Sequence, residues 1–520
     1  MDETQGPMHL LRMEGVNLSK VLDDTDEISV RRGAGLMLRQ AVRDVAREFK
    51  GLTPISVGAS VGLFEVRTTD PDALVADIAA YLSKHPHYRY LTFVVDSVPM
   101  AAGFGAAREQ VIAANRCRQF RQLTLAVPAA GDGGAWCGAD QISPGRIDHR
   151  FKDYEAVSPS VEARFDFGRD ARNDFYEKEL GRAVTDTFTD DLEALAEPAD
   201  GLDFGNLNDK MAVIYLDGNK FGDLQRQCPS ATDLRRFDDR VGRNRRDFLD
   251  HLLTVARADG AGFRNGTSIR LETLLWGGDE ILLVVPAWKG METLQRFYEV
   301  SQAWSFDDKP LTHAGGIVFC QGKTPIVQIR RTAEDLANGV KAWIAKDKVE
   351  AEKQGATDDE ASIRRRGNRF AYLVLESVDY PTEVLDEFRR TRYGAAVANS
   401  LEPLTVFAAG PGGTWADLAK YLAPLIRRWP RGALYDVAME WVRARKTGTD
   451  AARAVFAARV RRLFDTSPPT LEAELNRRVF CHLVPGADSA KTHDHAGWLH
   501  LVELWDYLAP EPRKAQEARP

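Results

Sequence analysis

The chain has 520 residues, 44% of them hydrophobic and 28% charged, too many for one ordinary core, so two to four domains are expected. No apolar run approaches the roughly 20 residues that cross a bilayer, and no signal-type apolar segment follows the acidic start Met1-Asp2-Glu3-Thr4, which excludes a membrane protein. A net charge of -7 argues against a surface that grips nucleic acid everywhere, because such surfaces are usually basic.

Basic residues cluster locally, at Arg235, Arg236, Arg240, Arg243, Arg245 and Arg246, at Arg364-Arg365-Arg366, and from Arg427 to Arg431. They read as solvated helix faces and loops. The five cysteines (Cys117, Cys137, Cys228, Cys320, Cys481) form no CxxC pair, which favours a reducing cytoplasm over a disulfide framework or a zinc ribbon.

In chain order, Leu10 to Leu18 contains an alternating strand, and Gly33 to Phe49 has apolar residues at helical spacing. Ile55–Val57 and Leu63–Val66 flank a Gly58-Ala59-Ser60 turn. Asp70-Pro71-Asp72 starts a helix to about Ser83, and Tyr88 to Asp96 is a closing strand. This βαββαβ order is ferredoxin-like. From Cys117 to Gly205 the pattern breaks, with a loop from Pro128 to Gly134 and a helix from Asn173 to Leu180, and little core is expected there.

The same order then returns. Met211–Leu216 is a buried strand, Asp233–Ala258 a long helix, and Ser268–Trp276 and Ile281–Val285 a pair of strands. Met291–Trp304 is helical, Leu311–Cys320 a strand, and Pro325–Lys346 another helix. Met13-Glu14-Gly15 occupies the place of Leu216-Asp217-Gly218, and Gly58-Ala59-Ser60 that of Gly277-Gly278-Asp279-Glu280, so the first copy is expected to lack the acids and to be catalytically dead. After Phe370–Leu375 the pattern is helical, at Trp415–Trp429, Gly432–Arg445, Asp450–Phe464, Leu471–Leu483 and Gly497–Leu508.

The fold class expected is therefore α+β, with two ferredoxin-like domains and an all-helical C-terminal domain. The expected boundaries are 1–116, a connector over 117–205, a catalytic domain over 206–378, and helices over 379–520.

Asp217 ends a buried strand, where a carboxylate is costly unless it is solvated, paired or bound to a cation. About sixty residues later a hairpin presents Asp279 and Glu280, after two glycines that permit positive φ and close approach of a ligand. In a ferredoxin-like sheet the first strand and the central hairpin are neighbours. Converging carboxylates suit Mg²⁺ or Mn²⁺, with Gly218 offering its main-chain carbonyl, and such a site activates a hydroxyl and stabilises leaving pyrophosphate. The plainer alternative is an ordinary tight turn and a strand-end cap.

Four motifs stand in order between Ala212 and Leu375. They are Leu216-Asp217-Gly218-Asn219-Lys220-Phe221-Gly222, Leu275-Trp276-Gly277-Gly278-Asp279-Glu280, Ala314-Gly315-Gly316-Ile317 with Lys323-Thr324-Pro325-Ile326, and Ala333-Glu334-Asp335-Leu336 up to Lys341. Together they resemble the second palm domain of the large polymerase-like subunit of type III CRISPR effector complexes, itself related to the GGDEF cyclase domain.

The resemblance implies synthesis of cyclic oligoadenylates from ATP in antiviral defence. Asp217 and Asp279 would be metal ligands and Glu280 a further ligand or hydroxyl activator. Gly277 and Gly278 would lie close to the substrate. Asn219, Lys220 and Phe221 would turn backbone amides to the triphosphate, and Lys341, otherwise a solvent-facing lysine, would neutralise its terminal phosphates. Implied partners are ATP or another NTP, RNA and CRISPR effector subunits.

The family usually has GGDD where this chain has GGDE, and neither an HD nuclease domain nor the zinc-binding cysteine pairs is apparent. His493-Asp494-His495 reads as a helix start. A shortened or free-standing relative is therefore expected. Two alternatives stand beside it. One is a GTP-using dinucleotide cyclase, against which Ile281 replaces the phenylalanine of GGDEF and Arg270-Leu271-Glu272-Thr273 lacks RxxD. The other is a non-catalytic RNA-binding scaffold subunit.

Overall fold

The structure is a computed structural model, and it describes residues 6–121, 135–151, 154–199, 201–355, 359–376, 385–405, 429–465, 480, 496–508, 510 and 512–514. The chain divides into two compact units. One holds Met1–Thr187, Lys220–Asp250 and Thr273–Ile281, and the other Phe188–Asn219, His251–Glu272 and Leu282–Pro520. The expected loop over 128–134 and His493-Asp494-His495 lie outside the described residues, as do the helices expected over 415–429 and 471–483, apart from Trp429 and Phe480.

The first unit begins with β1 (Met8–Val16), α1 (Ile28–Glu48), β2 (Thr53–Val57), β3 (Val61–Arg67), α2 (Pro71–Lys84) and β4 (Thr92–Pro99). The strands form a sheet of order β2-β3-β1-β4, with β1 antiparallel to both β3 and β4. Period-2 alternation sends Leu11 and Met13 of β1 to one face, where Met37, Ala41, Val42 and Val45 of α1 and Ile78 and Leu82 of α2 complete a core. β4 starts later than Tyr88, because Tyr88–Tyr90 form a short 3-10 turn that buries the Tyr88 ring.

The next helix, α3 (Phe104–Arg121), is tied to β1 and β4 by a polar network that its sequence does not advertise. Arg12 donates to Asn115 at 2.6 Å, Asn115 to Asp96 at 2.7 Å, and Arg118 to Asp96 at 2.8 Å.

The helix expected from Asn173 begins at Pro159 and runs to Leu180 as α4. Ser158 caps its first turn, Pro159 sits in the N1 position, and Gly181 ends it at φ 66. It crosses α1 with the backbones almost touching. A Cβ on Gly33 would lie 1.8 Å from the Arg164 carbonyl oxygen, and one on Gly168 would lie 2.0 Å from that of Ser29. The connector also has a core of its own, built from Cys137, Ala139, Phe151, Val157, Val161 and Phe165 with Val30 of α1, so the expectation of little core there is corrected.

The later elements are β5 (Lys210–Gly218), α5 (Phe221–Gln227), α6 (Ala231–Ala258), β6 (Glu272–Gly277), β7 (Glu280–Pro286), α7 (Ala287–Ser301), β8 (His313–Gln321), α8 (Ile326–Lys353) and β9 (Arg369–Val374). The strand order β6-β7-β5-β8-β9 repeats that of the first sheet and adds one strand, β9, parallel to β8. The strand expected over Ser268–Trp276 is broken, Ser268–Ile269 pairing separately with Arg264–Asn265.

Close approaches fix the helices on this sheet. A Cβ on Gly290 of α7 would meet the Ala212 side chain at 2.5 Å, and one on Gly316 would meet the Ala333 carbonyl of α8 at 2.0 Å. Ile317 lies near Gly290 while Gly316 lies near α8, so the pleat of β8 puts α7 and α8 on opposite faces. The architecture is α+β, and the C-terminal region is mainly helical where described, with α9 (Arg431–Thr447) and α10 (Asp450–Asp465), but not all-helical as expected, since Arg513–Lys514 form a short strand paired with Leu202–Asp203.

Gly168→Ala should destabilise the first unit by about 1–3 kcal/mol, the cost of overpacking a helix crossing, as read from urea denaturation. Gly181→Ala, at a C-cap with open space, should cost about 1 kcal/mol or less.

Candidate functional site

β5 is buried from end to end, because the sheet covers both its edges and a helix lies on each face. Asp217 is its penultimate residue and stands opposite Ala314, on the α8 face of the sheet. It is 8% exposed, and a carboxylate so placed needs a cation. Lys341 supplies it from α8, with Nζ 2.5 Å from Asp217 Oδ2. The structure thus brings together two of the residues singled out by sequence. Lys341 is not a solvent-facing lysine but the counter-charge of Asp217.

Gly218 pairs with His313 on β8. Burial first, and the Lys341 charge second, push the His313 imidazole down to about 3, so it is neutral at physiological pH. Asn219 straps the strand end in place. Its amide donates to the Thr312 carbonyl at 2.8 Å, and its side-chain Nδ2 donates to Thr312 Oγ1 at 3.1 Å and to the Gly367 carbonyl at 2.7 Å. The Asn219 amide is therefore already used within the chain.

The remaining sequence-selected residues belong to the first unit. Lys220 sits at φ 60 ahead of α5, and Phe221 is buried with its ring edge-on to Phe237 at 5.7 Å. Gly278 is at φ 54 with open space where a Cβ would stand, as the β6–β7 turn requires. Asp279 and Glu280 are partly exposed. Gly277 is needed for a different reason. A Cβ there would lie 2.2 Å from the Ala59 side chain, so the turn of the first hairpin packs directly on the acidic one.

Charged residues that no motif marked stand behind this turn. The Trp276 indole N–H donates to Glu179 Oε1 of α4 at 2.9 Å. Glu179 Oε2 accepts from Arg39 and, at 3.2 Å, from Arg43, both on α1. Arg245 of α6 donates to the Gly278 carbonyl at 2.5 Å and lies 3.9 Å from Glu179 Oε1. Burial alone would raise the Glu179 carboxyl, but Arg39 and Arg245, with the indole bond, override it and hold the group near 2.

Glu14, the first-sheet counterpart of Asp217, is an acid after all. It is held by Arg12 at 2.5 Å and Arg116 at 3.4 Å. A charged residue at a buried helix or strand position is the only sequence signal such groups leave.

Among the described residues, no group of three or more His, Cys, Asp or Glu is placed to hold a metal ion. The donors available to the expected Mg²⁺ or Mn²⁺ are nonetheless of the right kind, hard carboxylate oxygens, and that of Asp217 already carries a cation in the Lys341 ammonium.

The fold is thus two copies of a ferredoxin-like sheet, with an acid on the first strand of each and a Gly-Gly-acid hairpin in the second. Among solved structures, this fold is similar to that of Csm1. The chain superimposes on the apo Csm1-Csm4 cassette with a TM-score of 0.51 and 13% identity, covering 98% of this chain and 71% of that one. On the Csm1-Csm4 subcomplex of the type III-A CRISPR-Csm interference complex the TM-score is 0.50, again at 13% identity and with 98% and 71% covered. By sequence alone, the chain matches no protein-family model and no curated protein. No helix among the described residues is long and apolar enough to cross a membrane.

Because the folded Glu179 pKa lies below the unfolded value, its contribution to stability is present above about pH 4.5 and is lost as pH falls toward 2. Thermal unfolding between pH 4.5 and 2 should show a decline of about 3 kcal/mol from this group. Glu179→Gln should flatten that limb while lowering stability near neutrality.

Proposed function

We propose that this chain is a Mg²⁺- or Mn²⁺-dependent nucleotidyltransferase that makes cyclic oligonucleotides, oligoadenylates foremost, from ATP in cytoplasmic CRISPR-type antiviral defence. The observation that carries the proposal is the Asp217–Lys341 pair on the central strand of a Csm1-like fold. A purely structural core would be served as well by an apolar pair, because burying two charges gains little net stability. A carboxylate and an ammonium that can be separated, each to meet a partner of its own, are what a nucleotide site needs.

In this reading Asp217 and Asp279 would hold the metal, Glu280 would be a further ligand or the hydroxyl activator, and Gly218 would offer its carbonyl. Bound there, the metal would activate a ribose hydroxyl and stabilise the leaving pyrophosphate. Lys341 transfers its charge from Asp217 to the terminal phosphates. Gly277 and Gly278 keep the turn free of side chains where the substrate would approach, and Glu280, if not a metal ligand, would accept the hydroxyl proton. The Lys220 and Phe221 amides, at the start of α5, face the triphosphate. The Csm1 structures contain Csm4, and a Csm4-type subunit together with RNA is the assembly proposed for this chain.

Purified protein incubated with Mg²⁺ or Mn²⁺ and each NTP should release pyrophosphate and yield cyclic adenylate products by mass spectrometry. Asp217→Asn and Asp279→Ala should each reduce the yield by about 100-fold or more, the loss typical of removing a charge-stabilising group. GTP-derived dimers would instead mark a GTP-using cyclase. No product with any NTP, with or without RNA and a Csm4-type subunit, would leave the scaffold reading.

A further inference from the structure

We propose that Arg245 is a positioning residue for the Gly277–Glu280 turn, acting with Glu179 to fix the backbone from which Asp279 and Glu280 project. The proposal rests on the reading of that turn as part of a nucleotidyl-transfer site. Three successive residues ahead of the acids are each held by a different part of the first unit. The Trp276 indole is bonded to Glu179 of α4 at 2.9 Å. Gly277 lies against Ala59, with no room for a Cβ. The Gly278 carbonyl accepts from Arg245 Nη1 of α6 at 2.5 Å.

The outer two anchors are joined, since Arg245 Nη2 lies 3.9 Å from the same Glu179 oxygen that holds the indole. Glu179 is fixed in turn by Arg39 and Arg43 of α1. α6 is also fixed along the same face by Asp238, two helical turns before Arg245, which accepts from Ser56 Oγ at 2.8 Å and from the Val57 amide at 3.4 Å.

A chain of buried charges of this kind contributes little net stability compared with apolar side chains of similar volume, because desolvation offsets the attraction. Its advantage is directional. A guanidinium donates along fixed vectors, so it sets where the Gly278 carbonyl can lie, whereas packing against an apolar side chain would leave the turn free to slide. A Gly-Gly turn with Gly278 at positive φ is the element that most needs such a hold. The Arg245 Nε has no hydrogen-bond partner among the described residues, so its polar groups are not matched for stability alone.

The test uses the full chain and its Arg245→Met, Arg245→Lys and Trp276→Phe variants. Circular dichroism and thermal unfolding establish folding, hydrogen exchange reports on the turn, and ATP turnover is measured where it occurs. Arg245→Met is expected to speed amide exchange across residues 277–281 by about tenfold, the size of one charge-assisted hydrogen bond, while residues 210–218 are unchanged. It should lower kcat by about tenfold with KM for ATP within about twofold, and raise the Mn²⁺ concentration giving half-maximal activity.

Arg245→Lys, which keeps a donor, should recover part of each effect, and Trp276→Phe should loosen the turn less than Arg245→Met. A folded Arg245→Met protein with turn exchange equal to wild type overturns the proposal. So does a loosened turn with kcat and metal requirement unchanged. If Arg245→Met does not fold, Arg245→Lys and Trp276→Phe decide by the same readouts. Should the wild type make no product from any NTP, the proposed function fails, and turn exchange alone then supports or overturns the hold by Arg245.

Discussion

A carboxylate on a strand covered on both faces is costly unless it is solvated, paired or bound to a cation, and that constraint organises this molecule. Asp217 meets it with Lys341, brought over by the helix that Gly316 lets lie against the sheet. The pairing depends on the parity of β5 and β8. Asp217 stands opposite Ala314, on the same face as Gly316, whereas a one-residue slip would aim it at α7 instead. Register, helix placement and charge pairing are thus one requirement expressed three times.

The two sheets have a common strand order and have diverged in what they do with charge. Glu14 holds the position of Asp217 in the first sheet, but arginines from its own strand and from α3 close round it. The first hairpin carries Gly58-Ala59-Ser60 and no acid. Its small residues fit against Gly277, while Asp238 of α6 grips the strand behind it. Within the first unit, the hairpin without an acid thereby supports the turn that carries the acids.

The βαββαβ repeat was legible because alternating or continuous apolar runs and Gly turns report directly on strands and their connections. The Asp217 strand and the Gly277–Glu280 turn were legible for the same reason, since an acid at the edge of an apolar run is conspicuous. α4 was half hidden. Its buried Arg164 and Glu179 break the apolar stripe, and only their ion partners, distant in sequence, reveal why they can be inside. Gly33 and Gly168 each mark a backbone crossing that apolar periodicity does not show. Lys341 illustrates the limit most clearly, because a lysine on a helix face gives no sign of whether water or a carboxylate awaits it.

The most direct test of a nucleotide site at Asp217 is a crystal structure with Mn²⁺ and a non-hydrolysable ATP analogue, with the metal located by anomalous scattering. The account predicts Mn²⁺ bonded to Asp217 and to a carboxylate of the Gly277–Glu280 turn, with the Lys341 ammonium moved onto the triphosphate. An intact Asp217–Lys341 pair, with Mn²⁺ and nucleotide absent or bound elsewhere, would contradict it.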